Sequence, residues 1–276
     1  MPELPEVEAT RRHLEPVLVG ARIAEVEVRR PRMARRQPRP ADVRDRMVGR
    51  RIVALGRRGK FLLAHLDSAM TWVTHLGMSG RMSVAGRGDA ESPHTNVVVR
   101  LRGGAEVRFV DPRTFGFVAV LTPQEMDEMM FRRIGPDALD DLPSTVALRR
   151  RLEGRTAPIK ALLLDQQIVS GIGNIYADEI LWRARIAPWR QGGSLTPDEV
   201  SAMRRAIRPV LRAGLKAGGT SLDDLAYLLP DGRAGEFVER LAVYGKQDEP
   251  CPRCGTPVER TVLRQRSAHW CPSCQS

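Results

Sequence analysis

Apolar positions change their spacing along the chain, and each change marks a different kind of element. Residues 2–18, PELPEVEATRRHLEPVL, place Val7, Leu14 and Leu18 on one face of a short amphipathic helix. Pro5 suits its first turn, Glu6 and Glu8 suit its positive end, and Pro16 argues for an end near that point. Residues 21–28 then alternate, with Ile23, Val26 and Val28 apolar. Runs rich in Val, Leu and Phe follow at 51–66, 70–84, 96–102 and 105–121, and Gly103-Gly104 between the last two predicts a hairpin. Several short strands divided by Gly and Pro predict a sandwich or barrel. The pattern breaks near Gly135-Pro136, and the spacing is helical from 148 to 215. Thr196-Pro197-Asp198-Glu199 is a helix start, Gly218-Gly219 closes that helix, and the Gly- and Asp-rich stretch 220–245 is expected to form a long loop.

A chain of 276 residues is long enough for two ordinary domains or one large one. Hydrophobic residues at 42% and charged residues at 28% describe a soluble, core-forming protein, and only 5% aromatic content makes that core aliphatic. Lys and Arg total 44 against 33 acidic residues, a formal net charge of +11, which directs the chain to polyanions. Nucleic acid is the first candidate partner and an anionic membrane surface the second. No apolar run approaches the roughly 20 residues that span a bilayer. Glu3, Glu6, Glu8, Arg11 and Arg12 exclude the apolar segment of a signal peptide, so a cytoplasmic location is expected.

Four cysteines stand in two C-x-x-C pairs, Cys251/Cys254 and Cys271/Cys274, with sixteen residues between the pairs. Two such knuckles can offer four thiolates tetrahedrally, and four protein ligands leave no open position. One structural zinc ion is therefore expected, in a ribbon whose hairpin carries Arg264 and Arg266. An Arg on so rigid a hairpin can contact a phosphate. Upstream, residues 159–167 and 175–185 read as two helices joined by a turn containing Gly171 and Gly173, with Asn174 at the second N-cap. Such a turn can present backbone N–H groups to an anion, with Lys160 nearby, or it can simply let two helices pack closely.

Pro2 follows Met1, and small penultimate residues permit removal of the initiator. The exposed secondary amine could attack a sugar C1′ and give an iminium that keeps its positive charge. Glu3 and Glu6 supply carboxyl groups that could donate a proton or position water, and Lys60, in GRRGKFLL, could neutralise a phosphate or assist proton transfer. An adjacent helix start lowers the amine's pKa and the carboxylates raise it, so the sequence leaves the sign open.

Taken in order, PELPEVE at 2–8, GRRGKFLL at 56–63, HLGMSG at 75–80, DPRTFG at 111–116, SGIGNIYADE at 170–179, GGTS at 218–221, VYGK at 243–246 and the terminal cysteine pairs resemble the bacterial formamidopyrimidine-DNA glycosylase family. The resemblance implies an α+β multidomain fold. An N-terminal helix and β-sandwich would occupy 1–133, a helix–two-turns–helix domain 134–245 and a zinc ribbon 246–276, with DNA in the cleft between the halves. It implies a bifunctional glycosylase and abasic-site lyase that removes oxidised purines from double-stranded DNA and cleaves the strand by β,δ-elimination, acting as a monomer. Pro2 would be the Schiff-base nucleophile, Glu3 the general acid, Glu6 its support and Lys60 an assistant at the phosphates. Asn174 and Arg266 would clamp phosphates, with Lys160 and His75 as helpers. Met78, Arg113 and Phe115 would fill the gap left by an extruded base, which offsets part of the cost of unstacking.

Three positions depart from the family pattern. Thr114 replaces a common basic residue, Glu236 a common aromatic, and Asp223 stands where a basic residue occurs, all of which bears on base recognition. Two alternatives remain at this stage. One is an endonuclease VIII-like glycosylase for oxidised pyrimidines. The other is a non-catalytic lesion binder on the same scaffold. The joint presence of Pro2, Glu3, Glu6 and Lys60 argues against the binder.

Overall fold

The computed structural model describes residues 1–222 and 226–276. The chain forms two compact units, Met1–Arg132 with Ala217–Glu236, and Arg133–Lys216 with Phe237–Ser276. The segment Ala217–Glu236, read from sequence with the helical half, thus packs with the N-terminal unit.

In the first unit, helix α1 (Leu4–Leu18) starts at a capping box. Glu3 is the N-cap, and Glu6 accepts from the Glu3 backbone N–H at 2.7 Å. The helix runs two residues past Pro16, because a proline in the last turn forfeits only one hydrogen bond. Strand β1 (Ile23–Val28), helix α2 (Ala41–Met47) and strands β2 (Ile52–Arg58), β3 (Phe61–Leu66), β4 (Thr71–His75), β5 (Arg81–Gly86), β6 (Thr95–Leu101), β7 (Ala105–Val110) and β8 (Phe117–Leu121) follow, then α3 (Pro123–Met129). The strands form two antiparallel four-stranded sheets, ordered β1-β6-β7-β5 and β2-β3-β4-β8. Between them lies one hydrophobic core that includes Val26, Ile52, Leu62, Trp72, Met82, Val99, Val107, Phe109, Val118 and Val120. Leu14 and Leu18 of α1 join that core, so the sandwich fixes the helix that begins beside Pro2. Gly103-Gly104 does turn β6 into β7, with Gly104 at φ +89.

The second unit contains α4 (Thr145–Leu152), α5 (Ile159–Leu164), α6 (Asn174–Ala184) and α7 (Pro197–Lys216), then the two-stranded ribbon of β9 (Glu259–Leu263) and β10 (Arg266–Trp270). The helix predicted over 159–167 stops at Leu164, where Asp165 leaves helical geometry and its side chain caps the Gln167 N–H at 2.9 Å. The N-cap of α6 is Gly173, not Asn174. Asn174 is the first helical residue, and its amide donates to the Ser267 hydroxyl at 3.2 Å instead of capping.

Candidate active site and phosphate clamp

Pro2 is buried immediately before the α1 capping box, and Glu3 and Glu6 are each 1% exposed. Buried carboxylates need donors. The Glu6 carboxylate receives two: the Glu3 N–H on one oxygen and the Thr220 N–H, at 2.8 Å, on the other. Gly219 makes this possible. It sits at φ +89, and a Cβ there would fall 2.8 Å from the Glu6 side chain. The Tyr227 hydroxyl closes the arrangement, lying 3.2 Å from the Glu6 carbonyl and 3.1 Å from the Gly218 carbonyl. Burial first, and then the Glu6 charge, hold the Tyr227 phenol well above its ordinary value, so it remains a donor. The sequence analysis did not single out Tyr227, because its partner is 221 residues away in the chain.

Lys60 is buried in the β2–β3 turn. The preceding Arg57 donates to the Gly59 carbonyl at 3.1 Å and lies 3.4 Å from Glu8 in the second turn of α1. Burial works to raise the Glu8 carboxyl, but hydrogen bonds from Arg11 and Arg12 and the charges of Arg11 and Arg57 lower it overall. The turn that bears Lys60 is thereby tied to the helix that follows Pro2.

His75 ends β4. Its Nδ1 accepts the Gly77 N–H at 3.1 Å, which leaves Nε2 as the protonated nitrogen and a donor. Its ring stacks on Phe117 at 5.6 Å and 9°. Burial, and then the charges of Lys60, Arg35 and Arg36, push its pKa down to about 4, so it is neutral at ordinary pH.

Met78 is half-buried, and Phe115 is 44% exposed. Their two loops are joined by Asp111, which is fully buried. It accepts from the Ser79 hydroxyl and from the Gly116 N–H, both at 2.7 Å. The loops also touch backbone to backbone, since a Cβ on Gly77 would meet the Gly116 nitrogen at 2.3 Å. This brings the loop that carries Met78 against the loop that carries Arg113 and Phe115, and the Arg113 guanidinium lies 5.8 Å from the Phe115 ring. Thr114 has φ +52. Glu236 is exposed, and its N–H donates to the Ala217 carbonyl at 2.8 Å. Residues 226–237 fall within the described structure, whereas Asp223 lies outside it.

In the second unit, Asn174 bonds Ser267 of the ribbon, the residue after Arg266. The Asn174 Oδ1 has no hydrogen-bond partner among the described residues. Arg266 is exposed at the start of β10. Lys160 was expected as a helper at the phosphates, and the structure places it beneath the ribbon. It is 1% exposed, forms a 2.6 Å ion pair with Asp178 and donates to the Ser267 carbonyl. A buried ammonium so engaged supports the ribbon from beneath. Asp178 also accepts the His269 N–H at 2.9 Å. Its neighbour Glu179 accepts three successive N–H groups, from Ala242, Val243 and Tyr244, at 2.9, 3.0 and 3.0 Å. Burial raises the Glu179 pKa, with those three donors opposing it. These two acids fasten the loop and the ribbon to α6, a role that the sequence analysis missed.

The four cysteine sulfurs all lie within 4.8 Å of one another. Sulfurs at about 2.3 Å from a tetrahedral zinc lie about 3.8 Å apart, so this set fits one ion. Trp182 directs its indole Nε1–H to the Cys251 sulfur at 3.4 Å, a donor suited to a metal-bound thiolate. Arg264 and Gln265, the two-residue turn of the ribbon, both have positive φ, 46° and 63°. That is the geometry of a tight hairpin turn, here adopted without glycine.

Three family models match consecutive parts of the chain. They are the formamidopyrimidine-DNA glycosylase N-terminal domain over residues 1–118, the H2TH domain of the same family over 134–225, and a zinc finger found in these glycosylases and in an aminoacyl-tRNA synthetase over 248–276. A formamidopyrimidine-DNA glycosylase of Thermus thermophilus is 42% identical over 276 residues, covering 100% of this chain and 98% of the relative. One of Rhodococcus opacus is 44% identical over 284 residues, covering 100% and 97%. The crystal structure of the Thermus thermophilus protein superposes with a TM-score of 0.89, covering 99% of this chain and 98% of that one. A Lactococcus lactis protein of the family, in complex with DNA containing Fapy-dG, superposes at 0.92 with 31% identity and complete coverage of both chains. The same protein with DNA containing an abasic site superposes at 0.91 with 30% identity, covering 99% of each chain.

Proposed function

The chain belongs to the formamidopyrimidine-DNA glycosylase family, and from that premise we propose that Pro2 is the nucleophile with which it excises oxidised purines from duplex DNA. The protein is a base-excision repair glycosylase with abasic-site lyase activity, and its four cysteines hold one structural zinc. The observation that carries the proposal is the placement of Pro2 at the head of α1, beside two buried carboxyl groups whose donors are already fixed.

With Met1 removed, the neutral Pro2 nitrogen attacks C1′ of the damaged nucleotide. Glu3, in its protonated form, donates to the sugar ring oxygen as the ring opens. The C1′–base bond breaks and the base leaves with a proton. The nitrogen, now bonded to C1′, becomes an iminium that draws electron density from C2′. Loss of a C2′ proton expels the 3′ phosphate, and a second elimination expels the 5′ phosphate. The iminium is then hydrolysed and Pro2 returns. Glu6 acts through geometry, because both its oxygens are engaged, and it ties the Thr220 backbone to the start of α1. Lys60 and the His75 Nε2–H steady the phosphates around the nucleotide. Met78, Arg113 and Phe115 occupy the space that the extruded base vacates, with Arg113 facing its former partner. Asn174 and Arg266 grip the backbone, and zinc keeps the strand bearing Arg266 in shape. The enzyme acts as a monomer in the cytoplasm, at the nucleoid.

Borohydride reduction during turnover tests this. The expected product is a stable covalent complex in which mass spectrometry places the deoxyribose on Pro2. Attachment to any other residue, or no adduct from protein lacking Met1, would overturn the mechanism. Faster release of thymine glycol than of 8-oxoguanine opposite C would reassign the substrate to oxidised pyrimidines.

A further inference from the structure

Beside the 111–116 loop lies an arginine cluster that the mechanism leaves unused. The turn Pro31–Ala34 and its flanks are anchored at three points. Met33 and Ala34 are buried in the sandwich core. Gln37 pairs with the edge of β8, donating to the Val120 carbonyl at 3.1 Å and accepting the Val120 N–H at 2.8 Å. Beside these anchors, Arg32 and Arg35 reach the loop and take three successive carbonyls. The Arg32 Nε donates to Thr114 at 3.3 Å, and Arg35 donates through one nitrogen to Phe115 at 2.7 Å and through the other to Gly116. The Arg35 guanidinium also lies 5.2 Å from the Phe117 ring, on which His75 stacks. Burial, and then the like charges of Arg32 and Arg36, lower the Arg35 pKa.

We propose that Arg32 and Arg35 are positioning residues that hold the Thr114–Phe115–Gly116 backbone so that Phe115 and Arg113 are presented to the gap in the DNA stack. This rests on the reading of Phe115 and Arg113 as gap-filling residues. The loop needs such support. Asp111 and the close approach of Gly77 hold the Gly116 end, but Phe115 is exposed and Thr114 is in the left-handed region, so the tip of the loop has less packing of its own to fix it. A planar guanidinium reaches two adjacent carbonyls at once, which an ammonium does not match in geometry.

The test compares Arg35→Ala, Arg35→Lys, Arg32→Ala and Phe115→Ala in the zinc-loaded, full-length enzyme. The substrates are an 8-oxoguanine:C duplex carrying 2-aminopurine beside the lesion, whose fluorescence rises as its neighbours unstack, and a single-stranded abasic oligonucleotide that has no gap to fill. Arg35→Ala is expected to slow both the fluorescence rise and base excision roughly ten-fold, the size of one or two charge-assisted hydrogen bonds. Its lyase rate on the single strand should stay within about two-fold, and Arg35→Lys should show the same losses, as befits a lost fork and not a lost charge. Arg32→Ala, which removes a single bond, should show a smaller loss of the same kind. Full recovery in Arg35→Lys overturns the proposal, as does an equal loss on the single strand. If Phe115→Ala slows opening and Arg35→Ala does not, the gap-filling reading survives and the positioning role falls. If Phe115→Ala changes nothing, the gap-filling reading itself is wrong.

Discussion

A single glycine shows how tightly the residues around Glu6 are specified. Gly219 and Gly104 both sit at φ +89, but a Cβ on Gly104 meets nothing within 4 Å, whereas on Gly219 it meets Glu6. Alanine at either position carries the backbone strain, about 1 kcal/mol or more. Only at 219 does it also displace the carboxylate. Chemical denaturation should therefore show Gly219→Ala to be less stable than Gly104→Ala, and base excision should fall at least about ten-fold in the first and be unchanged in the second. His75 makes a residue-scale prediction about pH. Its folded pKa of about 4 lies below the ordinary value of 6.5, so the unfolded chain binds its proton first. Stability from this group is intact above 6.5 and is lost as pH falls through the window to about 4, by up to about 3 kcal/mol. An NMR titration of the ring should show it neutral at pH 5, and a midpoint near 6.5 would contradict the burial argument. Both residues stood in motifs visible in the sequence, but the reason for each did not. A glycine pair reads as a helix stop until the carboxylate pressed against it is seen.

The elements were legible where their logic is local. The amphipathic start, the Gly103-Gly104 hairpin, the capped entry to α7 and the paired cysteine knuckles all depend on neighbours within a few residues. Legibility failed where a partner comes from a distant part of the chain. The sequence puts Lys160 near a turn that can present N–H groups to an anion, and nothing local shows that it is buried. What buries it is Asp178 on the next helix and a ribbon carbonyl 107 residues away. Nothing local marks Asp178 and Glu179 as buried either, because their partners lie on the ribbon and the loop before it. This buried pair gives an element-scale prediction. Asp178→Asn leaves the ammonium without its counter-charge and should cost about 3–5 kcal/mol, whereas Lys160→Met combined with Asp178→Asn removes both charges and should recover most of that loss. Thermal melts of the two variants and the wild type decide it. A double variant no more stable than Asp178→Asn would mean that the pair matters for something other than charge balance.

Across the whole molecule, positive charge and metal act on the same function. The excess of 11 positive charges predicts that the logarithm of DNA affinity falls linearly with the logarithm of salt, by roughly 0.9 for each phosphate neutralised. Arg266→Ala should reduce that slope by about one. Cys254→Ala should release zinc and weaken DNA binding while leaving the sandwich folded, since the four sulfurs and the core of the sandwich belong to different units. Metal content, binding isotherms and near-UV dichroism of the two variants test these outcomes together. A metal-free variant that still binds DNA with full affinity would show that the ribbon is dispensable for the grip.

The N-terminal unit is also discontinuous in sequence, and this has a consequence for how the enzyme is made. The donor that satisfies Glu6 is the backbone of Thr220, and the hydroxyl that closes the arrangement belongs to Tyr227. A ribosome that has released the first 132 residues has delivered every strand of the sandwich and the amine itself, but not the late segment that completes the carboxylate's surroundings. The nascent chain therefore holds Glu6 without its late donors for most of its synthesis. Competence to cut DNA arrives only as the last quarter of the protein emerges.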